Sequence, residues 1–183
     1  MASTGKQKKR SAMDALELLK ADHEKVRELF REFDSMKGIE DEDERKAELV
    51  DDICYEITLH TMIEEEIFYP VVRSAIDNDE LMDEADIEHA GARELISQLE
   101  VMYPGDDHFD ATVSVLGEEL EHHIDKEESE MFKAVRRTGI DLDELGEQLL
   151  ARKKELEDDL TAPAATLDAM VPHDARRTPR PPN

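Results

Sequence analysis

The chain has 183 residues, about one domain's worth, with little glycine or proline, no tryptophan and abundant Leu, Glu, Ala, Lys and Arg, a composition that favours helices. Its one cysteine, Cys54, excludes a disulfide framework and a thiolate zinc site; no apolar run could cross a bilayer or form a signal core, so a soluble cytoplasmic protein is expected. Residues 11–160 hold 16 basic and 46 acidic side chains, a net of −30 against −25 overall, so neither nucleic acid nor an anionic membrane is an expected partner, and a salt-adapted proteome finds no other support.

Residues 1–10, with Lys6, Lys8, Lys9 and Arg10, read as a disordered basic tail. The first helix is predicted from about Asp14 to Met36, with Leu16, Leu19, Val26, Phe30 and Phe33 at spacings of three and four before Gly38. The second runs from near Asp41 to about Ile76 and carries Leu49, Ile53, Ile57, Ile67, Phe68 and Val71; Pro70 must bend it or interrupt its hydrogen bonding. The third covers about Glu80 to Met102, with Leu81, Ala85, Ala92, Ile96 and Leu99, and stops at Pro104-Gly105. A fourth, about Asp110 to Arg137, shows Val113, Leu116, Leu120, Met131 and Ala134. A shorter fifth, about Asp141 to Leu160, carries Leu142, Leu145, Leu149, Leu156 and Leu160. Residues 161–183 read as a disordered tail, leaving one domain at 11–160. Short connections make neighbours antiparallel, which gives an all-α, up-down-up-down four-helix bundle with a short fifth helix.

Polar residues interrupt the apolar stripes. His23 falls between Leu19 and Val26, His60 and Glu64 between Ile57 and Ile67, His89 between Ala85 and Ala92, and His123 and Glu127 between Leu120 and Met131. At about 1.5 Å per residue, His89 lies roughly 21 Å before the third loop and His123 roughly 20 Å after it, and the others sit at comparable depth. Seven His and 27 Glu give roughly one His-x3-Glu pair by chance, and two are present, so spacing alone decides little. The coincidence of six polar groups at core phase decides more. Burying them unpaired costs several kcal/mol apiece, a cost that a pair of cations would relieve, whereas a metal-free polar core would need a hydrogen-bond partner for each. Residues four apart share a helical face, so each His-x3-Glu offers a nitrogen and an oxygen together.

The segments Asp22-His23, His60-Thr-Met-Ile-Glu64-Glu-Glu-Ile-Phe-Tyr-Pro70, Glu88-His89 and His123-Ile-Asp-Lys-Glu127-Glu128 resemble the hemerythrin HHE cation-binding family over roughly 12–158. The resemblance implies two irons bridged by an oxo or hydroxo group and two carboxylates, with His23, His60, Glu64, His89, His123 and Glu127 as ligands. Where oxygen-carrying hemerythrins have a second histidine in helix three, this chain has Arg93; where they have His-x4-Asp, it has Glu128 one residue after Glu127. It is thus similar to the four-histidine, two-glutamate branch. Tyr69 is a further candidate ligand, since a subset of the family is similar at Tyr-Pro. An ideal helix puts it about 180° from His60, so it needs distortion near Pro70. A ferritin-like site would need two Glu-x-x-His motifs, and only Glu119-His122 fits, about 100° off the stripe. His108, His173, Cys54 and the methionines read as bystanders or packing, the acidic run 41–44 as a solvated helix start rather than a calcium loop, and Glu65, Glu66 and Glu128 as surface or outer groups.

Mixed imidazole and carboxylate ligation suits iron, with manganese and zinc as alternatives. The expected function is binding or processing of a small oxidant (O2, H2O2 or NO), with peroxide disproportionation as its enzymatic form. A module that senses or buffers iron or oxygen without turnover is the alternative; a purely structural helical protein would hold no stoichiometric metal.

Overall fold

The computed structural model describes residues 13–39 and 42–161, the side chain of Thr161 excepted. The expected tails therefore lie outside the described residues, apart from Thr161 itself. Helix α1 (Ala15–Met36) starts at a reciprocal cap: Asp14 Oδ1 accepts the Glu17 N–H at 2.9 Å, and Glu17 Oε2 accepts the Asp14 N–H at 3.2 Å. It ends before Gly38, whose φ of 76° few other residues tolerate. Helix α2 (Asp43–Ile63) runs into a π-helical turn, Glu64–Phe68, and resumes as α3 (Tyr69–Ala75). Helix α4 (Asp79–Leu99) is capped by Asn78, whose side chain accepts the Leu81 N–H at 3.2 Å. Helix α5 (Phe109–Lys126) likewise passes through a π-turn, Glu127–Met131, into α6 (Phe132–Val135); the last helix is α7 (Leu142–Thr161).

The described chain is all-helical. Helix α1 packs on α2, α2 on α4, α4 on α5 and α5 on α1, closing a four-membered antiparallel bundle, while α7 lies outside against α1, α2 and the first π-turn. No helix among the described residues is long and apolar enough to cross a membrane.

The core is two apolar clusters. One gathers Leu16, Leu19, Leu59, Ile63, Phe68, Val72, Met82, Phe132 and Val135 with Leu145, Leu149 and Leu156 of α7. The other gathers Val26, Phe33, Ile53, Ile57, Ala92, Ile96, Val113, Leu116, Leu120 and Ile124. Between Leu19 and Val26, Ile57 and Phe68, Ala85 and Ala92, and Leu120 and Met131, the chain supplies histidines and glutamates instead.

The π-turns correct the predicted stripes. A π-turn spends five residues where an α-turn spends about four, so every later residue of that helix is displaced by one position. Buried residues after the first are Phe68, Tyr69 and Val72, leaving the expected Ile67 and Val71 half-covered; after the second, Val135 is buried and the expected Ala134 only partly.

Candidate metal centre

The polar layer is built twice. Asp22-His23 on α1 precedes His60-x3-Glu64-Glu65 on α2 and its π-turn; Glu88-His89 on α4 precedes His123-x3-Glu127-Glu128 on α5 and its π-turn. His23 and His60 are 37 residues apart, His89 and His123 34. All six sequence-predicted ligands are buried and brought together. His23, His60, Glu64 and Glu127 form one group, and Glu64, His89 and His123 a second, with donor atoms within 4.8 Å of one another in each.

Glu64 belongs to both groups. Its Oε2 lies 3.2 Å from His60 Nε2 and 3.4 Å from His89 Nε2. Glu127 Oε2 lies 3.3 Å from His23 Nε2 and 3.9 Å from His123 Nε2. The imidazoles meet nitrogen to nitrogen, His23 with His60 at 3.2 Å and His89 with His123 at 3.1 Å.

Their outer nitrogens face a ring of carboxylates. His23 Nδ1 is 3.0 Å from Glu128 Oε1, His89 Nδ1 2.9 Å from Glu65 Oε1, and His123 Nδ1 2.8 Å from Glu88 Oε2. His60 Nδ1 faces Asp22 Oδ2 at 3.8 Å. Each helix thus supplies the carboxylate for the next helix's histidine, round the bundle. A ring that donates Nδ1–H outward turns an Nε2 lone pair inward, the arrangement found around protein-bound metals.

Electrostatics agree. Burial pulls His60 and His89 down to about 4, so both are neutral donors at pH 7. Burial, then the charge of Glu127, pushes Glu64 well above the usual carboxylate range. Glu64 Oε1, Glu127 Oε2 and His60 Nδ1 are buried without a hydrogen-bond partner. Converging lone pairs, paired buried carboxylates and orphaned oxygens fit metal cations and little else.

Tyr69 joins this layer. The Tyr69 N–H bonds Glu64 O across the π-turn, so Tyr69 comes round beneath Glu64 as an i+4 residue would. Its hydroxyl lies 3.1 Å from His89 Nε2, 3.2 Å from Glu127 Oε1 and 3.4 Å from Glu64 Oε2. Burial and the two glutamates hold its pKa well above the ordinary phenol value. In the other half, the corresponding Phe132 stacks on His23 with centroids 5.9 Å apart.

Arg93 stays outside. Its half-exposed guanidinium bonds Glu65, the carboxylate facing His89. Asp22 and Glu88 were not expected as orienting groups; the signal for them is an acid directly before the histidine in both repeats. His122 is mostly exposed, 3.8 Å from Glu88, and Glu66 pairs with Arg152 at the surface.

A helical bundle whose core is split by a buried histidine–glutamate layer defines a metal-binding protein. Residues 14–135 match the Hemerythrin HHE cation binding domain, and the chain belongs to that family. It is 30% identical over 127 residues to a DNA nickase of Nostoc sp., a match that covers 68% of this chain but 34% of that protein, so it spans about a third of that relative's length. The crystal structure of an HHE cation-binding domain-containing protein from Mycobacterium kansasii superposes with a TM-score of 0.68 at 26% identity, over 84% of this chain and 96% of that one.

Proposed function

We propose that the layer holds two irons and that the protein binds or processes a small oxidant: O2, H2O2 or NO. The observation carrying this reading is Glu64, whose Oε2 lies within 3.4 Å of a histidine of each group, so that one carboxylate is in reach of both. His23, His60 and Glu127 would hold one iron, and His89, His123 and the Tyr69 hydroxyl the other; Arg93, where oxygen-carrying hemerythrins have a second histidine, stays outside. Imidazole and carboxylate donors suit iron, which supplies one- and two-electron redox chemistry when bound. The chain's own contribution is orientation and exclusion. Three outer carboxylates fix their imidazoles, two apolar clusters shut bulk water away, and the Tyr69 side chain is held beside Glu64 and Glu127.

Peroxide disproportionation is the enzymatic form: one H2O2 gives up two electrons and two protons as O2, and a second takes them up as two waters. A sensing or buffering role without turnover is the second reading. It is supported by the paired buried carboxylates, which repel once the cations leave. What the Nostoc relative's name says of DNA concerns a protein mostly outside the match, and a net −30 over residues 11–160 disfavours a phosphate-backbone partner.

Anaerobic loading with ferrous iron, metal counting and addition of peroxide test the reading. Two irons per chain and oxygen evolution above an equal amount of free iron are expected. Fewer than two bound metals removes the dinuclear centre; two metals without excess oxygen removes the catalase-like activity and leaves O2 or NO binding and the sensor.

A further inference from the structure

Three of the four outer carboxylates hydrogen-bond their histidine at 2.8–3.0 Å. The fourth does not. Asp22 Oδ2 stops 3.8 Å from His60 Nδ1, and both atoms are buried without a hydrogen-bond partner. The other oxygen of Asp22 is engaged: Lys153 Nζ donates to Oδ1 at 2.6 Å, with 13% of the lysine side chain and 12% of the aspartate side chain exposed. Lys153 comes from α7, beyond the residues that match the family and outside the four-membered bundle. Glu128 and Glu65 also meet cations (Lys20 and Arg27, and Arg93), yet each keeps its histidine contact. Asp is one methylene shorter than Glu and so has less reach to follow both a lysine outside and an imidazole inside.

We propose that Lys153 is a positioning residue that weakens His60 as a metal ligand by holding Asp22 back from it, so that α7 makes the two halves of the centre unequal. This rests on the metal-binding reading of the layer and not on any oxidant. A histidine whose Nδ1–H is accepted by a carboxylate is a fixed and more basic donor; one left without that partner turns more freely and donates less. Position 153 therefore governs the metal held by His23 and His60, and leaves alone the one held by His89 and His123.

The test uses the full chain and anaerobic ferrous titration against a competing chelator, with the reduction potential of the iron-loaded protein as a second readout. In Lys153→Met the lysine stem is conserved and Asp22 is free to accept from His60. One of the two sites should then bind about tenfold tighter, within the range known for such outer partners, and its potential should fall because the more basic imidazole favours ferric iron. Lys153→Arg keeps the ion pair and should match the wild type; Asp22→Ala combined with Lys153→Met should lose the gain. Unchanged or weakened affinity in Lys153→Met overturns the proposal. So does a gain that survives in the double variant, since it would not pass through Asp22. Should Lys153→Met fail to fold by circular dichroism, Lys153→Gln takes its place with the same expected gain and the same overturning result. A wild type that binds fewer than two metals would instead remove the dinuclear reading itself.

Discussion

Tyr69 and Phe132 stand five residues beyond Glu64 and Glu127, and each ring stacks against an imidazole, His89 at 29° and His23 at 6° between ring planes. The halves differ there by one hydroxyl, so Tyr69→Phe makes them alike with little change in volume. We predict unchanged helicity, roughly tenfold weaker binding at the His89/His123 position, as for loss of other metal-site partners, and loss of the visible phenolate-to-iron absorption from the ferric protein. Identical spectra and affinity in the two proteins would show that the hydroxyl only fills space. The histidines and glutamates were legible in the sequence because charge at core phase is costly enough to stand out. Tyr69 was legible only as a conditional candidate. Its inward turn depends on a helical phase that the π-turn alters, and apart from Pro70 nothing in a one-dimensional stripe marks where five residues will share one turn.

At the scale of helices, the same one-residue displacement explains which predictions failed. Helices α1 and α4 run without interruption, and their expected apolar residues are buried, Phe30 alone being partly covered. Past Glu64 and Glu127 the expected Phe68 and Met131 are buried, but the expected Ile67, Val71 and Ala134 are only partly covered. Pro70 lacks an N–H and sits just after the first π-turn, so it announced a disturbance; the second π-turn has Lys133 at that place and gave no warning. Helix α7 was legible as a stripe of leucines, but its seat was not. Gly146 rests on the start of α1, where an added Cβ would lie 2.8 Å from both Ala15 N and Met13 O. Those are backbone atoms with no rotamer to yield. In an open helix Gly→Ala stabilises by about 1 kcal/mol; here overpacking should reverse the sign and cost about 1–3 kcal/mol, seen as a lower urea midpoint. A higher midpoint for Gly146→Ala would mean that α7 is loosely seated, and the reach of Lys153 to Asp22 would lose its rigid base.

Taken whole, the molecule has two dry clusters joined through a charged layer, so the metal-free protein carries the layer's cost unrelieved. The signs of the shifts set its acid response. His60 and His89 have folded pKa values of about 4 against an ordinary 6.5, so between those limits the unfolded chain binds more protons and stability falls as pH falls. In the limit of complete burial each could contribute about 3 kcal/mol across that window. Glu64 acts oppositely: its raised pKa means that the fold takes up a proton first, so acid relieves it from that value down to about 4.5. The two effects partly cancel in the wild type. Glu64→Gln removes the second and leaves the first, so the chelated variant should be more stable than the chelated wild type at pH 7 and should lose stability more steeply between pH 6.5 and 4. Urea denaturation at intervals across that range measures it. An equally shallow slope in Glu64→Gln would mean that the layer opens to water once its cations are gone, with the histidines titrating as they do in solution and the two clusters moving apart as separate bodies.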